Sequence, residues 1–378
     1  MRIAIDARPA SDAEPTGVGH YTRRMLSHLP AAMPADELVA WHPHTGGSDL
    51  PRAPNLTEHV SRIPAVLEPV WRRLEVPRLE GMVRFDALLA TNFLPPPTRS
   101  DAVVLVVHDL AFEVMPEVGP GFGERWLRRF GGWLRRSAAV IVPSANAKAD
   151  LLQRHRLDEG RVHAIPHGAD PFEAPGDDEV QRVQSGFGIE GPFALFLGGI
   201  EPRKNLDALV EAFARVGDPE RWLVIAGGRT YWAPRGTEAL RAKVEALPER
   251  LRRRVVLTGY VSDDEKRALL AGATVLAYPS RYEGFGFPVL EGFSAGVPVL
   301  TSSAASLPEV AGDAALLVDP NDVDAIGDGL VRLFGDPDLR ERLVAAGRER
   351  LATFSWERTA GATAEVLRAA AVGSAGAR

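Results

Sequence analysis

Short apolar, β-prone runs alternate with helix-period stretches along nearly the whole chain. In the first half the runs fall at 2–6, 37–41, 86–91, 102–107, 138–142 and 161–165. In the second they fall at 193–197, 222–226, 254–257, 273–278, 297–301 and 314–318. Between them, apolar positions recur with the period of a helix, for example from His20 to Leu29, across 121–137, from about Asn205, twice within 322–352, and over about 356–371. Continuous apolar runs bounded by Gly and Pro, separated by amphipathic stretches, predict parallel strands with helical crossovers. Residues 171–191 break the rhythm. They are rich in Pro, Gly, Asp and Glu, with only a weak helical pattern at 178–186, so a boundary is expected near 172–190. The pattern therefore predicts an α/β protein of two halves, 1–172 and 190–355.

The loops after the strands carry the polar chemistry. Residues 278–298 read YPSRYEGFGFPVLEGFSAGVP. Glu283 is expected on a Gly-rich loop at a strand's carboxyl end, Pro288 at the first position of a helix, and Glu291 in that helix's first turn. Two carboxylates eight residues apart would then face one crevice, with backbone N–H groups suited to an anion between them. Spacing alone is met equally well by a strand–turn–helix with two solvated glutamates. After the 193–197 run comes Gly198-Gly199-Ile200-Glu201-Pro202-Arg203-Lys204-Asn205. Glycines admit a ligand to the backbone, Arg203 offers a forked pair of donors and Lys204 a point charge, which suits a diphosphate. A solvated charge pair would look the same.

Other features are less specific. The loop Pro15-Thr16-Gly17-Val18-Gly19 follows the first strand, and Gly17 and Gly19 allow close backbone approach or simply a tight turn. His108 ends a buried strand, where ligands bind in open α/β sheets, and Asp109 beside it can orient its imidazole; a strand-capping histidine is the plain alternative. Ser262 and Glu265 have capping-box spacing. Asp319, Asp322 and Asp324 read as the cap of a following helix. Residues 121–137 place Trp126, Leu127, Phe130, Trp133 and Leu134 at helical spacing among Arg125, Arg128, Arg129, Arg135 and Arg136, and Trp71-Arg72-Arg73 to Arg84 repeats the flavour. Such a helix faces a core, or rests on anionic lipid.

Composition narrows the choice little but usefully. With 45% hydrophobic and 25% charged residues in 378, the chain can build two ordinary globular cores. A net charge of −6 argues against bulk attraction to nucleic acid. No cysteine is present, which removes disulfides, thiolate metal sites and cysteine nucleophiles. The sequence opens on MRIAID, already strand-like, and no apolar run approaches the length of a membrane span, so a cytoplasmic protein is expected. The small, polar residues 373–378 are expected to be disordered.

Taken together, Glu283-Gly284-Phe285-Gly286-Phe287-Pro288-Val289-Leu290-Glu291, the Arg203-Lys204 pair and Val107-His108-Asp109 resemble the motifs of family 4 glycosyltransferases. The resemblance is strongest from Gly198 to Gly312 and weakest over 42–85. It implies a GT-B fold, with two Rossmann-like domains facing each other across a deep cleft and the last helix crossing back onto the first domain. Pro166-His167-Gly168-Ala169 is similar to the family's hinge. The resemblance implies a retaining hexosyltransferase in which Arg203 and Lys204 clamp the diphosphate, Glu283 holds the sugar, Glu291 holds the ribose and His108 lines the reacting face. Gly17, Gly19, Gly199, Gly284, Phe285, Gly286 and Leu290 would lie at the donor, and Val261, Asp263 and Lys266 at the nucleobase. Glu283 as a covalent nucleophile is the less favoured mechanism.

No metal or cofactor is implied, because the two cations neutralise the leaving group. The phrases VHDL, GYVSDDE and SLPEVAGDAALLVDP look most like bacterial mannosyltransferases of polysaccharide or glycolipid assembly, so GDP-mannose is the expected donor. UDP-glucose or UDP-GlcNAc comes next. A nucleotide-sugar 2-epimerase is an alternative that lacks this pairing of motifs, and a non-catalytic subunit would be expected to have lost one of the four charged residues. A saccharide or lipid-linked acceptor is implied, and with it possible peripheral membrane contact through 121–137. Residues 42–85 and 110–125 match nothing that identifies the acceptor.

Overall fold

The computed structural model describes residues 1–11, 16–44, 49–118, 123–228 and 236–376. The chain divides into two compact units, one of Met1–Leu110, Phe122–Gly168 and Phe354–Arg378, the other of Ala111–Gly121 and Ala169–Thr353.

The first unit contains β1 (Arg2–Asp6), β2 (Glu37–His44), β3 (Leu56–Pro64), β4 (Ala87–Ala90), β5 (Val103–Val106), β6 (Ala139–Val142) and β7 (Val162–Ala164). These form one parallel sheet in the order β3-β2-β1-β4-β5-β6-β7. Its helices include α1 (Gly17–Ala32), α2 (Glu68–Leu74), α4 (Glu124–Arg136), α5 (Ala145–Arg154) and α15 (Trp356–Gly376), while α3 (Ala111–Val114) falls in the second unit. Parallel strands need crossovers that cover both sheet faces, so central strands are apolar throughout. All residues of β4, β5 and β6 are accordingly buried.

The second unit repeats the plan with β8 (Phe193–Leu197), β9 (Trp222–Ala226), β10 (Val255–Gly259), β11 (Val275–Tyr278), β12 (Val299–Ser302) and β13 (Ala315–Val318). Their order is β10-β9-β8-β11-β12-β13, again parallel. Its further helices are α6 (Asp177–Gly186), α7 (Leu206–Val216), α8 (Gly236–Glu245), α9 (Glu249–Arg252), α10 (Asp263–Gly272), α11 (Phe287–Ala295), α12 (Leu307–Ala311), α13 (Val323–Gly335) and α14 (Pro337–Leu351). In both sheets the strand order reverses beside the first strand, at β1/β4 and at β8/β11. In doubly wound sheets that reversal opens the crevice where ligands bind.

Every expected strand overlaps an observed one, and β3 is an addition. It is an edge strand with mostly exposed residues, so it lacks the apolar run that marks a central strand. The weak helical pattern expected at 178–186 is α6, and the units divide at Gly168/Ala169, just ahead of the expected 172–190. Helix α6 packs on α10 so closely that a Cβ at Gly272 would collide with Gln184. Residues 111–118 belong to the second unit, where Ala111 and Val118 pack on Tyr282. The helix expected from His20 begins at Gly17, which puts Gly17 and Gly19 in its first turn. Pro15, Gly121 and Phe122 lie outside the described residues. The last helix runs on to Gly376 instead of ending near 371, because the small residues there are compatible with a helix. It packs within the first unit, where Thr359 donates to the Pro166 carbonyl (2.7 Å) and Trp356 fills the space a Cβ at Gly168 would need. Among the described residues, no helix is long and apolar enough to cross a membrane.

Candidate active site

At the β8/β11 switch point, strand ends and short turns bring six polar side chains together. Gly198 leaves β8 with φ +139°, a conformation favourable only to glycine. A single 3-10 turn, Pro202–Lys204, follows. Asn205 then adopts φ +61°, and its side-chain amide donates to the carbonyls of Pro279 (3.1 Å) and Pro320 (2.6 Å). This ties the turn to the ends of β11 and β13 and fixes Lys204 beside β11. Lys204 is 7% exposed and Glu283 5%. Lys204 Nζ donates to Glu283 Oε1 (2.7 Å) and to the Tyr278 hydroxyl. That hydroxyl donates to Glu283 Oε1 (2.8 Å). Arg203 Nη1 bonds the other Glu283 oxygen, and its Nε donates to Glu201 Oε2 (2.7 Å).

Burying these charges is tolerable only because they are matched. Two cations face two carboxylates. Burial pushes the Glu283 carboxyl up, but Arg203, Lys204 and the hydrogen bonds from Lys204 and Tyr278 outweigh it and hold the pKa at about 2. Burial lowers the proton affinity of Lys204, with Arg203 adding to it and Glu283 and Glu201 opposing. Burial and the Glu283 charge push the Tyr278 hydroxyl well above its usual range, so it remains a neutral donor. Glu283 is thus an ionised acceptor, not an acid.

The loop bearing Glu283 is pinned from below. Ser306 Oγ donates to the carbonyls of Glu283 and Phe285, both at 2.9 Å. Gly286 caps α11 with φ +114°, and a Cβ there would lie 2.7 Å from Leu307 Cδ2. Glu283, Gly284, Phe285 and Gly286 are all buried, as is Leu290, whose side chain is part of the core. Two details differ from the expectation. Pro288 is the second residue of α11, and Glu291 lies in its second turn, not its first. The two glutamates also have separate partners. Glu291 pairs with Lys266 of α10 (3.0 Å), and Glu291, ahead of burial, raises the Lys266 pKa. This pair joins the α11 carboxylate to the helix that follows Val261. Asp263 is the first residue of α10 and exposed, while Ser262 and Glu265 form the expected capping box. Asp322 caps α13, as its spacing suggested. Gly199 lies in the turn between β8 and the Arg203-Lys204 pair.

Gly17, Gly19 and His108 belong to the first unit. His108 Nε2 lies 2.8 Å from the Thr91 carbonyl at the end of β4. A carbonyl only accepts, so Nε2 carries the proton in the neutral ring and Nδ1 remains an acceptor. Burial lowers the His108 pKa, against opposing effects of that bond and of Asp109. Around it stand Tyr21 (centroids 5.0 Å apart) and His167 (5.7 Å), and Trp356 stacks on His167 (6.0 Å, 20°). Burial, then His108 and His20, push the His167 pKa well below its usual value, so this cluster is neutral at pH 7.

Sequence reasoning missed Tyr278, Glu201 and Asn205 in the charged cluster, and Tyr21, His167 and Trp356 in the aromatic one. Tyr278 had a signal: a hydroxyl at the last position of an otherwise aliphatic buried strand. His167 was read only as part of a hinge.

Comparison with known proteins agrees with this arrangement. The model described as Glycosyltransferase Family 4 matches residues 15–172, and that described as Glycosyl transferases group 1 matches 177–350. The O-antigen chain mannosyltransferase B of Escherichia coli is 29% identical over 367 residues, covering 90% of this chain and 93% of that protein. The D-inositol 3-phosphate glycosyltransferase of Jonesia denitrificans is 28% identical over 384 residues, covering 94% and 87%. A solved structure of HepE from Anabaena in complex with UDP-glucose superposes with a TM-score of 0.75 at 16% identity, covering 98% of this chain and all of that one. With both halves of the chain matched and the same two-sheet architecture in its structural neighbours, the protein belongs to the family 4 glycosyltransferases and has the GT-B fold.

Proposed function

We propose that the protein is a retaining mannosyltransferase that moves mannose from GDP-mannose to a saccharide or lipid-linked acceptor. The observation that carries this reading is the buried cluster of Arg203, Lys204, Glu283 and Tyr278 at the β8/β11 switch point. As the bond between the sugar's anomeric carbon and the phosphate oxygen breaks, negative charge develops on the β-phosphate. Arg203 and Lys204 stabilise it without reorganising, because the Asn205 bonds and the carboxylates already hold them in place. Glu283, kept ionised, accepts hydrogen bonds from sugar hydroxyls and favours the positive character that grows on the ring. The acceptor oxygen attacks from the face the phosphate leaves, and its proton passes to a phosphate oxygen. The products are the glycoside and a nucleoside diphosphate. Lys266 and Glu291 together serve the nucleoside, Glu291 at the ribose and Lys266, with Asp263, at the base. His108, neutral with Nδ1 as an acceptor, lines the reacting face. No cofactor enters this scheme, since the two cations neutralise the leaving group.

Mannose is favoured by the activity for which the E. coli relative is named, and a second reading, a UDP-sugar donor, by the HepE complex. A thermal-shift panel with GDP, UDP, GDP-mannose, UDP-glucose and UDP-GlcNAc separates them. Stabilisation by GDP species, with slow release of mannose from GDP-mannose, supports the proposal. Stabilisation by UDP species alone replaces mannose with a UDP-sugar.

A further inference from the structure

In each unit an acidic residue stands two positions ahead of a gripped arginine. Past β1, Asp6 Oδ1 accepts from Arg8 Nε (2.8 Å), and past β8, Glu201 Oε2 accepts from Arg203 Nε (2.7 Å). The second pair sits inside the charged cluster, where bond cleavage draws on Arg203, Lys204, Glu283 and Tyr278 but not on Glu201. The backbone fixes Glu201 in that place. Ile200 is buried and donates its N–H to the Gly228 carbonyl (3.2 Å). Glu201 is the extended residue ahead of the 3-10 turn, and its carbonyl accepts from the Lys204 N–H (3.0 Å). Pro202 sets the first φ of the turn. The Arg203 carbonyl accepts from the Arg281 N–H (2.8 Å), which ties the turn to the loop bearing Glu283.

The Arg203 guanidinium is thus gripped by two carboxylates, at Nε by Glu201 and at Nη1 by Glu283. The Glu201 side chain is 9% exposed, so water screens its charge little. That charge reaches the neighbouring cation too. With Glu283, it opposes the lowering of the Lys204 pKa by burial and Arg203. Two carboxylates on two cations leave the cluster without net charge. A site meant only to hold a diphosphate would do better with net positive charge. Glu283 has a second task at the sugar that accounts for its presence; Glu201 calls for another reason.

We infer that Glu201 is a positioning residue and fixed counter-ion of Arg203 that limits how tightly the site holds a nucleoside diphosphate product. This role rests on the diphosphate reading of Arg203 and Lys204 given above. Cleavage of the sugar–phosphate bond turns the β-phosphate into a terminal one, which carries additional negative charge near pH 7. The same two cations therefore hold the product more strongly than the donor. A fixed anion beside Arg203 counters that excess and lets the product leave, while its bond to Nε keeps the guanidinium plane set for the next donor. Glu283 cannot be exchanged for it. Glu283 grips both cations at once, so replacing it disturbs their placement as well as the charge.

The test is calorimetric titration with GDP and with UDP, joined to donor turnover, for the native protein and its variants. Glu201→Gln keeps an acceptor for Nε and removes the charge. It should bind the preferred nucleotide about tenfold more tightly than native, with product inhibition deepened to match. Glu201→Asp keeps the charge and shortens the reach to Nε. It should bind close to native and turn over about tenfold more slowly. Glu341→Gln, the same charge change at an exposed site on α14, should leave affinity unchanged. A residue that merely held the fold together would weaken binding in both Glu201 variants, in step with their melting temperatures. Unchanged or weaker binding by folded Glu201→Gln overturns the role and leaves the diphosphate reading standing. If Glu201→Gln melts too early to titrate, Glu201→Asp decides. Native affinity with slowed turnover then supports the role, and affinity lost alongside turnover overturns it. A native protein that binds neither nucleotide overturns the role and the diphosphate reading together.

Discussion

The two sheets share a strand order, and each places a buried arginine–carboxylate contact just past its switch-point strand, yet the two contacts serve different ends. In the first unit all three nitrogens of the Arg8 guanidinium are engaged. Its Nε and Nη2 grip both oxygens of Asp6, Nη1 takes Glu68, and Nη2 also reaches the Leu94 carbonyl. Asp6 is fully buried. The groups with chemical potential there are neutral: His108, His167 and Tyr21. In the second unit the proposed function makes the ion cluster itself the chemistry. Lys204 and Arg203 share one carboxylate, Glu283, on a loop at the end of β11. The difference teaches that a salt bridge at a switch point reads as scaffold when its cation is spread over two carboxylates and a carbonyl of its own unit. In the proposed function it is machinery where two cations converge on one ionised carboxylate that also binds the sugar. One plan, folded twice, thus yields a neutral cluster in one unit and a charged one in the other, which the proposed function gives to the acceptor and the diphosphate.

The sharpest way to break this contrast is substitution of Glu283. Glu283→Gln should lower turnover on the donor by about 10²–10³-fold, read as initial rates. Leaving Arg203 and Lys204 without this carboxylate should also destabilise the fold by about 3–5 kcal/mol, and a nucleoside diphosphate should restore part of it. The carboxyl's pKa is depressed on folding, so its stabilisation is fully present above its ordinary value of 4.5 and is lost as pH falls through that value toward about 2. Melting of the native protein should show this acid loss, and Glu283→Gln should lack it. In the other unit, Asp6→Asn should cost a similar 3–5 kcal/mol or so while leaving nucleotide affinity within error by calorimetry. A drop in that affinity would erase the distinction drawn here.

Smaller effects refine it. Tyr278→Phe removes one acceptor from Lys204 and one donor from Glu283, and should cost about 1–3 kcal/mol, appearing in kcat more than in KM. Gly168→Ala forces a Cβ into Trp356 and should destabilise by about 1–3 kcal/mol, with melting of the first unit affected and nucleotide binding spared. Glu291→Gln breaks a half-exposed pair, so stability should change by only about 0–1 kcal/mol, while nucleotide binding weakens measurably.

How much of this could be read in advance depended on whether a feature was local. Strands β1, β8 and β9 were legible as apolar runs at their observed bounds, and the Ser262–Glu265 box and the Asp322 cap were legible from spacing within one turn. Edge strand β3 was not, since an edge position buries too little to impose an apolar run. Arg203, Lys204 and Glu283 were each named from their loops, but their union with Tyr278 was not, because it joins positions nearly eighty residues apart through the pairing of β8 with β11. Glu291 was placed one turn too early in its helix, and its partnership with Lys266 follows from the packing of α10 against α11. Residues 111–118 were assigned to the wrong unit, since nothing in a sequence marks that a segment leaves one sheet to pack on another's loop.

The measurement that bears most directly on the central claim is nucleotide binding and donor turnover by the native protein and Glu283→Gln side by side. The account predicts that both bind GDP with comparable affinity and that only the native protein consumes GDP-mannose at an appreciable rate. Turnover by the variant within a few-fold of native, or a native protein that binds no nucleoside diphosphate at all, would contradict it.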